Sequence, residues 1–134
     1  MFKAWFGLEG GPKEVGDAGE QMALRFLQRQ GLKLVQCNYR VARGPRAHAG
    51  EVDLIMQAAD ATLVFVEVRT RRNHSHGGAA ASVTAAKQRR ILYAAQHFLR
   101  ALPAPPPCRF DVIAIEGGEV RWLKAAFDAG DLHR

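Results

Sequence analysis

The sequence has little of what would place it in several common classes of protein. Its 134 residues contain two cysteines, Cys37 and Cys108, far apart and without CxxC spacing, which predicts buried free thiols. No apolar run approaches the roughly 18 to 20 residues of a membrane span, and the first residues hold too short an apolar stretch for a signal peptide, so we expect a cytoplasmic protein. The segment GGAAAS lacks the lysine of a Walker loop, which excludes a nucleotide site of that kind.

Acidic residues are outnumbered, with 13 Asp and Glu against 19 Lys and Arg and a net charge of +6. This balance predicts a polyanion such as nucleic acid as a partner, and the alternative is a solvated basic face. The candidate phosphate contacts cluster around one stretch of the sequence: Arg40, Arg43, Arg46, Arg71, Arg72, Arg89 and Arg90. A chain of this length most readily forms one domain. We expect that domain over residues 16–134, after a loosely ordered extension at residues 1–15.

The spacing of apolar residues predicts two helices and five strands. The helices are expected at 17–30, ended by Gly31, and at 84–102, capped by Thr84. The strands are expected at 32–39, 51–57, 62–70, 108–116 and 119–123. Helices before and after a run of sequential strands indicate an α/β fold, with a mixed sheet flanked by helices.

Carboxylates interrupt two strands that otherwise read as hydrophobic. If the turn between these strands is symmetric about Asp60, Asp53 lies opposite Glu67, and Glu51 lies opposite Arg69. Facing carboxylates begin only about 5 Å apart at Cβ and repel each other. Three effects can offset the repulsion: a shared proton with one raised pKa, a neighbouring cation such as Arg69, or a bound divalent metal. The alternative is an ordinary cross-strand ion pair between Glu51 and Arg69 at an exposed strand end.

Two charged residues on the helices point the same way as apolar ones. Glu20 falls near the direction of Leu24 and Leu27 on the first helix, and Lys87 falls in the row of Ile91 on the second. Each is ordinary alone, because long charged side chains often extend along apolar surface. Together with the strand acids they predict one polar site built from both helices and the sheet.

Longer motifs give a specific resemblance. The segments GDAGEQMALRFLQRQG, GEVDLI, VFVEVRTRR, GGAAASVTAAKQRR and CRFDVIAIEGGEVRWLKAAF resemble the YraN family, small bacterial proteins related to archaeal Holliday-junction resolvases. Asp53, followed by Glu67-Val68-Arg69, is similar to the D…(D/E)xK pattern of restriction-endonuclease-like nucleases, with Arg in place of the usual Lys. The resemblance covers residues 16–128. It implies a restriction-endonuclease-like α/β fold and a nuclease role.

Carried onto this chain, the resemblance implies a set of site residues. Asp53 and Glu67 would bind Mg²⁺ or Mn²⁺, Glu20 would be a third acid, and Lys87 would contact a phosphate or water. Arg69 can stabilise a charged transition state, but it cannot lose a proton near neutrality and therefore cannot be a general base. Either the metal ion supplies the activated water, or Lys87 supplies the missing amine, or the site no longer cleaves.

These observations leave several hypotheses open. The first is a metal-dependent endonuclease that hydrolyses phosphodiester bonds in DNA rather than RNA, with branched or structured DNA as a candidate substrate. A homodimer fits this hypothesis, because cutting both strands needs two sites. The alternative is a non-catalytic nucleic-acid-binding protein that keeps the nuclease fold, and a third reading is an interaction scaffold that uses Phe2, Trp5 and Phe6. His74 and His76 have no further ligand at suitable spacing, so we expect them to contact phosphate or solvent.

Overall fold

Two helices and five strands make up the described part of the chain. The computed structural model describes residues 17–42, 48–71 and 83–129, so the predicted extension at residues 1–15 lies outside it. In chain order the elements are α1 (Ala18–Arg29), β1 (Lys33–Ala42), β2 (His48–Gln57), β3 (Leu63–Arg71), α2 (Ala85–Arg100), β4 (Cys108–Glu116) and β5 (Glu119–Phe127). Neither helix in these ranges is long and apolar enough to cross a membrane.

The strands form one mixed sheet in the order β1-β2-β3-β4-β5. Strands β3 and β4 are parallel, and the other neighbours are antiparallel. The parallel pair follows from α2, because a chain that must return to the same end of a sheet needs a long crossover, usually a helix. The α/β class and the mixed sheet with flanking helices are therefore confirmed, and the arrangement is consistent with a restriction-endonuclease-like fold.

Both helices begin and end where their capping residues predict. The Asp17 carboxylate accepts the N–H of Glu20 at 2.7 Å and caps α1, which is followed by Gly31 at a φ of 94°. The Thr84 hydroxyl accepts the N–H of Lys87 at 3.1 Å and caps α2. The second cap fixes the first turn of α2, and with it the position from which the Lys87 side chain extends.

Each helix covers one face of the sheet with its own hydrophobic core. Phe65 of β3 packs with Ile91 and Phe98 in the core beneath α2, whereas Val64 and Val66 pack in the core beneath α1. This division follows from the alternation of side chains along a strand. Val64 and Val66 therefore share the face beneath α1, and Phe65 and Glu67 share the face beneath α2.

Three strands differ in length from their predicted ranges. The pairing of β1 with β2 continues to Ala42 and His48, so both strands extend into the loop sequence between them. Strand β5 continues to Phe127 past an irregularity in its pairing with β4. Alanine and polar residues carry little strand signal of their own, and here the partner strand decides the conformation. The structure joins neither cysteine in a disulfide, and Cys37 is buried while Cys108 is half-buried.

Candidate active site

The hairpin of β2 and β3 has the predicted register, and the two acids come where its pairing ends. The paired positions run from Gln57 with Leu63 to Leu54 with Val66. Asp53 follows next, and its Oδ2 accepts the N–H of Val68 at 2.8 Å. The carboxylate thus bonds to the backbone of β3 at the end of the ladder, which fixes its direction.

The carboxyl groups of Asp53 and Glu67 form a largely buried pair, although Asp53 as a whole residue is half-buried. The Glu67 residue is only 3% exposed. Burial, together with the negative charge of Glu67, raises the pKa of Asp53 to about 7. Oε1 of Glu67 has no hydrogen-bond partner among the described residues. Asp53 is therefore only partly ionised at neutral pH, and Glu67 still has an unused acceptor.

Two cations approach the other oxygen of Glu67. A guanidinium nitrogen of Arg69 lies 3.6 Å from Glu67 Oε2, and Nζ of Lys87 lies 3.8 Å from the same atom. A raised pKa and neighbouring cations were two of the three effects that could offset the repulsion, and both are present. Neither cation contacts Oε1, so the pair is only partly neutralised.

Lys87 reaches this pair from the first turn of α2, in the direction its helical position predicts. Its side chain is 23% exposed, and its Nζ lies 3.3 Å from Oε1 of Glu51. The alternative ion pair between Glu51 and Arg69 does not form. Arg69 contacts Glu67 instead, and Glu51 contacts side chains of α2. The ammonium therefore lies between two carboxylates from neighbouring strands.

Glu51 is a centre of charge contacts that the sequence pattern does not predict. Its Oε1 accepts from a terminal nitrogen of Arg90 at 2.8 Å, and its Oε2 lies 4.0 Å from Nε of Arg40. Burial acts to raise the pKa of Glu51, but the positive charges of Lys87, Arg90 and Arg40 outweigh it, so the pKa is lowered. The residues that meet here from α2 and β2 are separated by more than 30 positions, and no local motif in the sequence relates them.

Glu20 approaches from the opposite face of the sheet. It lies in the first turn of α1, half-buried. The start of this helix packs tightly on the end of β3, because a Cβ added at Gly19 would meet the hydroxyl of Thr70. Glu20 is thus held near the strand that carries Glu67, and its role as a third acid stays a prediction.

The basic residues predicted to contact phosphate fall into three groups. Arg40 and Arg89 are exposed, and 62% of the Arg40 side chain is accessible. Arg90 is 43% exposed but is engaged by Glu51. The structure does not describe the side chains of the remaining candidates. These are four arginines and the two histidines of the loop: Arg43, Arg46, Arg71, Arg72, His74 and His76.

A second contact that the sequence does not predict joins β1 to α2. The Tyr39 hydroxyl lies 2.6 Å from Nδ1 of His97, and the Tyr39 ring packs edge-to-face on Phe98. Burial raises the pKa of Tyr39. The three residues tie the later turns of α2 to β1, while Arg90 ties an earlier turn to β2.

Asp53 and Glu67 suit a hard divalent cation. Mg²⁺ and Mn²⁺ take oxygen ligands, and Mg²⁺ is typically held by one or two carboxylates together with water and substrate phosphates. The unused Oε1 of Glu67 and the Asp53 carboxylate, which would release its proton on binding, are the groups that would hold such an ion. Within residues 17–42, 48–71 and 83–129, no three Asp, Glu, His or Cys residues group as a metal site. The fit is therefore to an open, two-carboxylate site.

Comparison with known proteins gives one consistent family. Residues 19–115 match the model described as "Uncharacterised protein family UPF0102". A UPF0102 protein of Methylibium petroleiphilum is 62% identical over 117 residues, which cover 87% of this chain and 96% of that protein. The corresponding protein of Albidiferax ferrireducens is 58% identical over 120 residues, covering 90% and 91%. In Cupriavidus necator the identity is 56% over 113 residues, covering 84% and 82%.

Proposed function

The chain belongs to the YraN family, UPF0102, and from its site we propose that it is a metal-dependent endonuclease that hydrolyses phosphodiester bonds in DNA. The buried carboxyl pair of Asp53 and Glu67 carries this proposal. Two facing acids cost stability unless a proton or a cation neutralises them. Asp53 and Glu67 lie together despite this unfavourable free energy, and Oε1 of Glu67 has no hydrogen-bond partner among the described residues. An arrangement of this kind suits the binding of a cation better than it suits the stability of the fold.

In this proposal each charged side chain has a separate role. Asp53 and Glu67 hold Mg²⁺ or Mn²⁺ as a two-carboxylate site, because Glu20 lies on the opposite face of the sheet. When bound, the ion supplies Lewis acidity that activates water and neutralises developing negative charge. Arg69 and Lys87 lie within 4 Å of Glu67, so they are placed to contact the oxygens of the scissile phosphate. Arg69 stabilises charge there but does not remove a proton.

The exposed arginines provide the affinity for the DNA backbone. Arg40, Arg89 and Arg90 lie on the same side of the sheet as Lys87, and each phosphate that they neutralise releases counterions. Arg89 and Arg90 are a matched pair, because they are adjacent and only Arg90 is held by an acid at 2.8 Å. We expect Arg89→Gln to lower the slope of log affinity against log salt by about 1. Arg90→Gln should lower it less, because Glu51 already neutralises part of that charge.

Cleavage assays test the proposal directly. Linear, branched and single-stranded DNA, and the matching RNAs, are incubated with the wild type and with Asp53→Asn and Glu67→Gln, in Mg²⁺ or Mn²⁺. We expect cleavage of DNA that falls by about a hundredfold or more in each variant. Asp60→Asn, in the exposed turn of the same hairpin, is the matched control and should cleave normally. Absence of cleavage of every substrate, or full activity in Asp53→Asn, would contradict the proposal.

A second candidate is a nucleic-acid-binding protein that keeps the nuclease fold without cleaving. The observation that favours it is Arg69, which stands where related nucleases carry Lys and contacts Glu67 at 3.6 Å. A guanidinium at that position neutralises the acid permanently, since its charge is not lost near neutral pH. This candidate predicts salt-dependent DNA binding, no measurable Mn²⁺ affinity by calorimetry, and no cleavage.

Cleavage and Mn²⁺ binding by the wild type separate the two candidates, and Arg69→Lys tests whether a lysine serves equally well at that position. If the chain is a nuclease, the wild type cleaves and binds Mn²⁺, and Arg69→Lys retains both properties. If the site binds without cleaving, the wild type shows neither property while its affinity for DNA remains.

Sedimentation of the protein with and without DNA tests the expected homodimer, which would bring one site to each strand.

A further inference from the structure

The ammonium of Lys87 is shared between two carboxylates of different exposure. It lies 3.3 Å from Glu51 Oε1, on a side chain that is 25% exposed, and 3.8 Å from Oε2 of the buried Glu67. Only the second acid belongs to the carboxyl pair. The position of Lys87 is thus set by an acid outside that pair.

Glu51 is itself held in place by the packing of α2 on β2. The backbone of the two elements meets at Gly50, where an added Cβ would lie 2.7 Å from the carbonyl oxygen of Arg90. This close approach brings the Arg90 guanidinium to 2.8 Å from Glu51 Oε1. The Glu51 carboxylate is therefore fixed on the helix side of the site.

A positive charge near Glu67 opposes the entry of a divalent cation. The repulsion is smallest when the ammonium stays with Glu51 and greatest when it moves fully onto Glu67, because Coulomb energy falls with distance. We propose that Glu51 is a positioning residue: it retains the Lys87 ammonium on the helix side, so that a divalent cation can bind at Asp53 and Glu67. The inference rests on the proposed function, since it requires a cation at that pair.

A double-mutant cycle on Mn²⁺ binding tests this role. Calorimetry with Mn²⁺ alone is applied to the full-length wild type, Glu51→Gln, Lys87→Met and the double variant. We expect Glu51→Gln to raise the Kd for Mn²⁺ about tenfold, because Lys87 then turns to Glu67. In the Lys87→Met background the same substitution should change the Kd by less than about twofold. Glu51→Asp, which keeps the carboxylate, should recover most of the affinity.

The outcomes distinguish this inference from the proposed function. If the wild type binds no Mn²⁺, both are overturned. If it binds Mn²⁺ but Glu51→Gln has no effect, or has an equal effect with and without Lys87, only the positioning role is overturned. An equal effect would mean that Glu51 acts through its own negative charge. Urea unfolding of each variant shows whether the fold is intact, and Arg40→Gln, which removes a charge 4.0 Å from Glu51, should leave the Kd within about twofold.

Discussion

Replacing Asp53 with asparagine should stabilise the protein at alkaline pH. The Asp53 carboxyl is buried beside Glu67, and its pKa is raised to about 7. Asparagine has nearly the shape of the protonated acid. Its amide oxygen can accept the same hydrogen bond from the N–H of Val68 that the Asp53 carboxyl accepts in the wild type. Its amide N–H groups can donate to Glu67, whose Oε1 lacks a partner among the described residues. The variant thus fixes the pair in the form that the native fold prefers.

The sign of the effect follows from the raised pKa. An acid whose pKa is higher in the folded state keeps its proton longer there, so folding stability falls as pH rises from the unfolded pKa to the folded one. For Asp53 this window runs from 3.8 to about 7. Each pKa unit corresponds to about 1.4 kcal/mol, which gives a limit of about 4 kcal/mol above the window. Because the pair can relax when Asp53 ionises, we expect about 2 to 4 kcal/mol.

Urea unfolding at pH 5 and at pH 8 measures this difference. Asp53→Asn should exceed the wild type in free energy of unfolding at pH 8, and most of the gain should be lost by pH 5. Asp60→Asn is the control: the N–H of Thr62 donates to the Asp60 carboxylate and lowers its pKa, so this variant should gain nothing at pH 8. A gain in Asp53→Asn that does not depend on pH, or a loss at pH 8, would refute the assignment of a shared proton.

Three further substitutions test contacts that hold the elements of the fold together. Gly50→Ala should cost about 1 to 3 kcal/mol and lower the Tm, because its Cβ would lie 2.7 Å from the Arg90 carbonyl oxygen. Tyr39→Phe removes the hydroxyl that lies 2.6 Å from the His97 ring and should cost about 1 kcal/mol in urea unfolding, without affecting Mn²⁺ binding. Asp111→Ala removes a fully buried carboxylate that accepts hydrogen bonds from β4 and β5. It should cost about 3 to 5 kcal/mol in the same assay.

The sequence predicts the local structure well where each element carries its own signal. The cap at Thr84, the glycine after α1 and the spacing of apolar residues predict both helices to within two residues of their bounds. The hairpin register follows from the turn at Asp60, whose carboxylate accepts the N–H of Thr62 at 3.0 Å. Turn geometry and side-chain alternation are local properties, so the sequence alone is enough to predict that Asp53 faces Glu67.

The contacts of Glu51 could not be predicted in the same way. Strand alternation assigns it to the face of Asp53, but its choice of partner depends on how closely α2 approaches β2. That distance is set by Gly50, whose missing side chain gives no hydrophobic or charge signal in the sequence. Cross-strand pairing therefore indicated Arg69 as the partner, whereas the helix supplies Arg90 and Lys87.

The contacts of Glu51 also bear on the role of Arg69, which replaces the lysine of the D…(D/E)xK pattern. With Glu51 engaged by α2, the guanidinium of Arg69 is the strand cation that remains beside Glu67, at 3.6 Å. Lys87 contacts the same carboxylate from the helix, at 3.8 Å. Lys87 therefore places an amine near Asp53 and Glu67. It does so from α2, whereas the lysine of the D…(D/E)xK pattern lies on the same strand as the second acid. An arginine at position 69 therefore does not leave the pair without a neighbouring amine, because Lys87 lies within 4 Å of both Glu51 and Glu67.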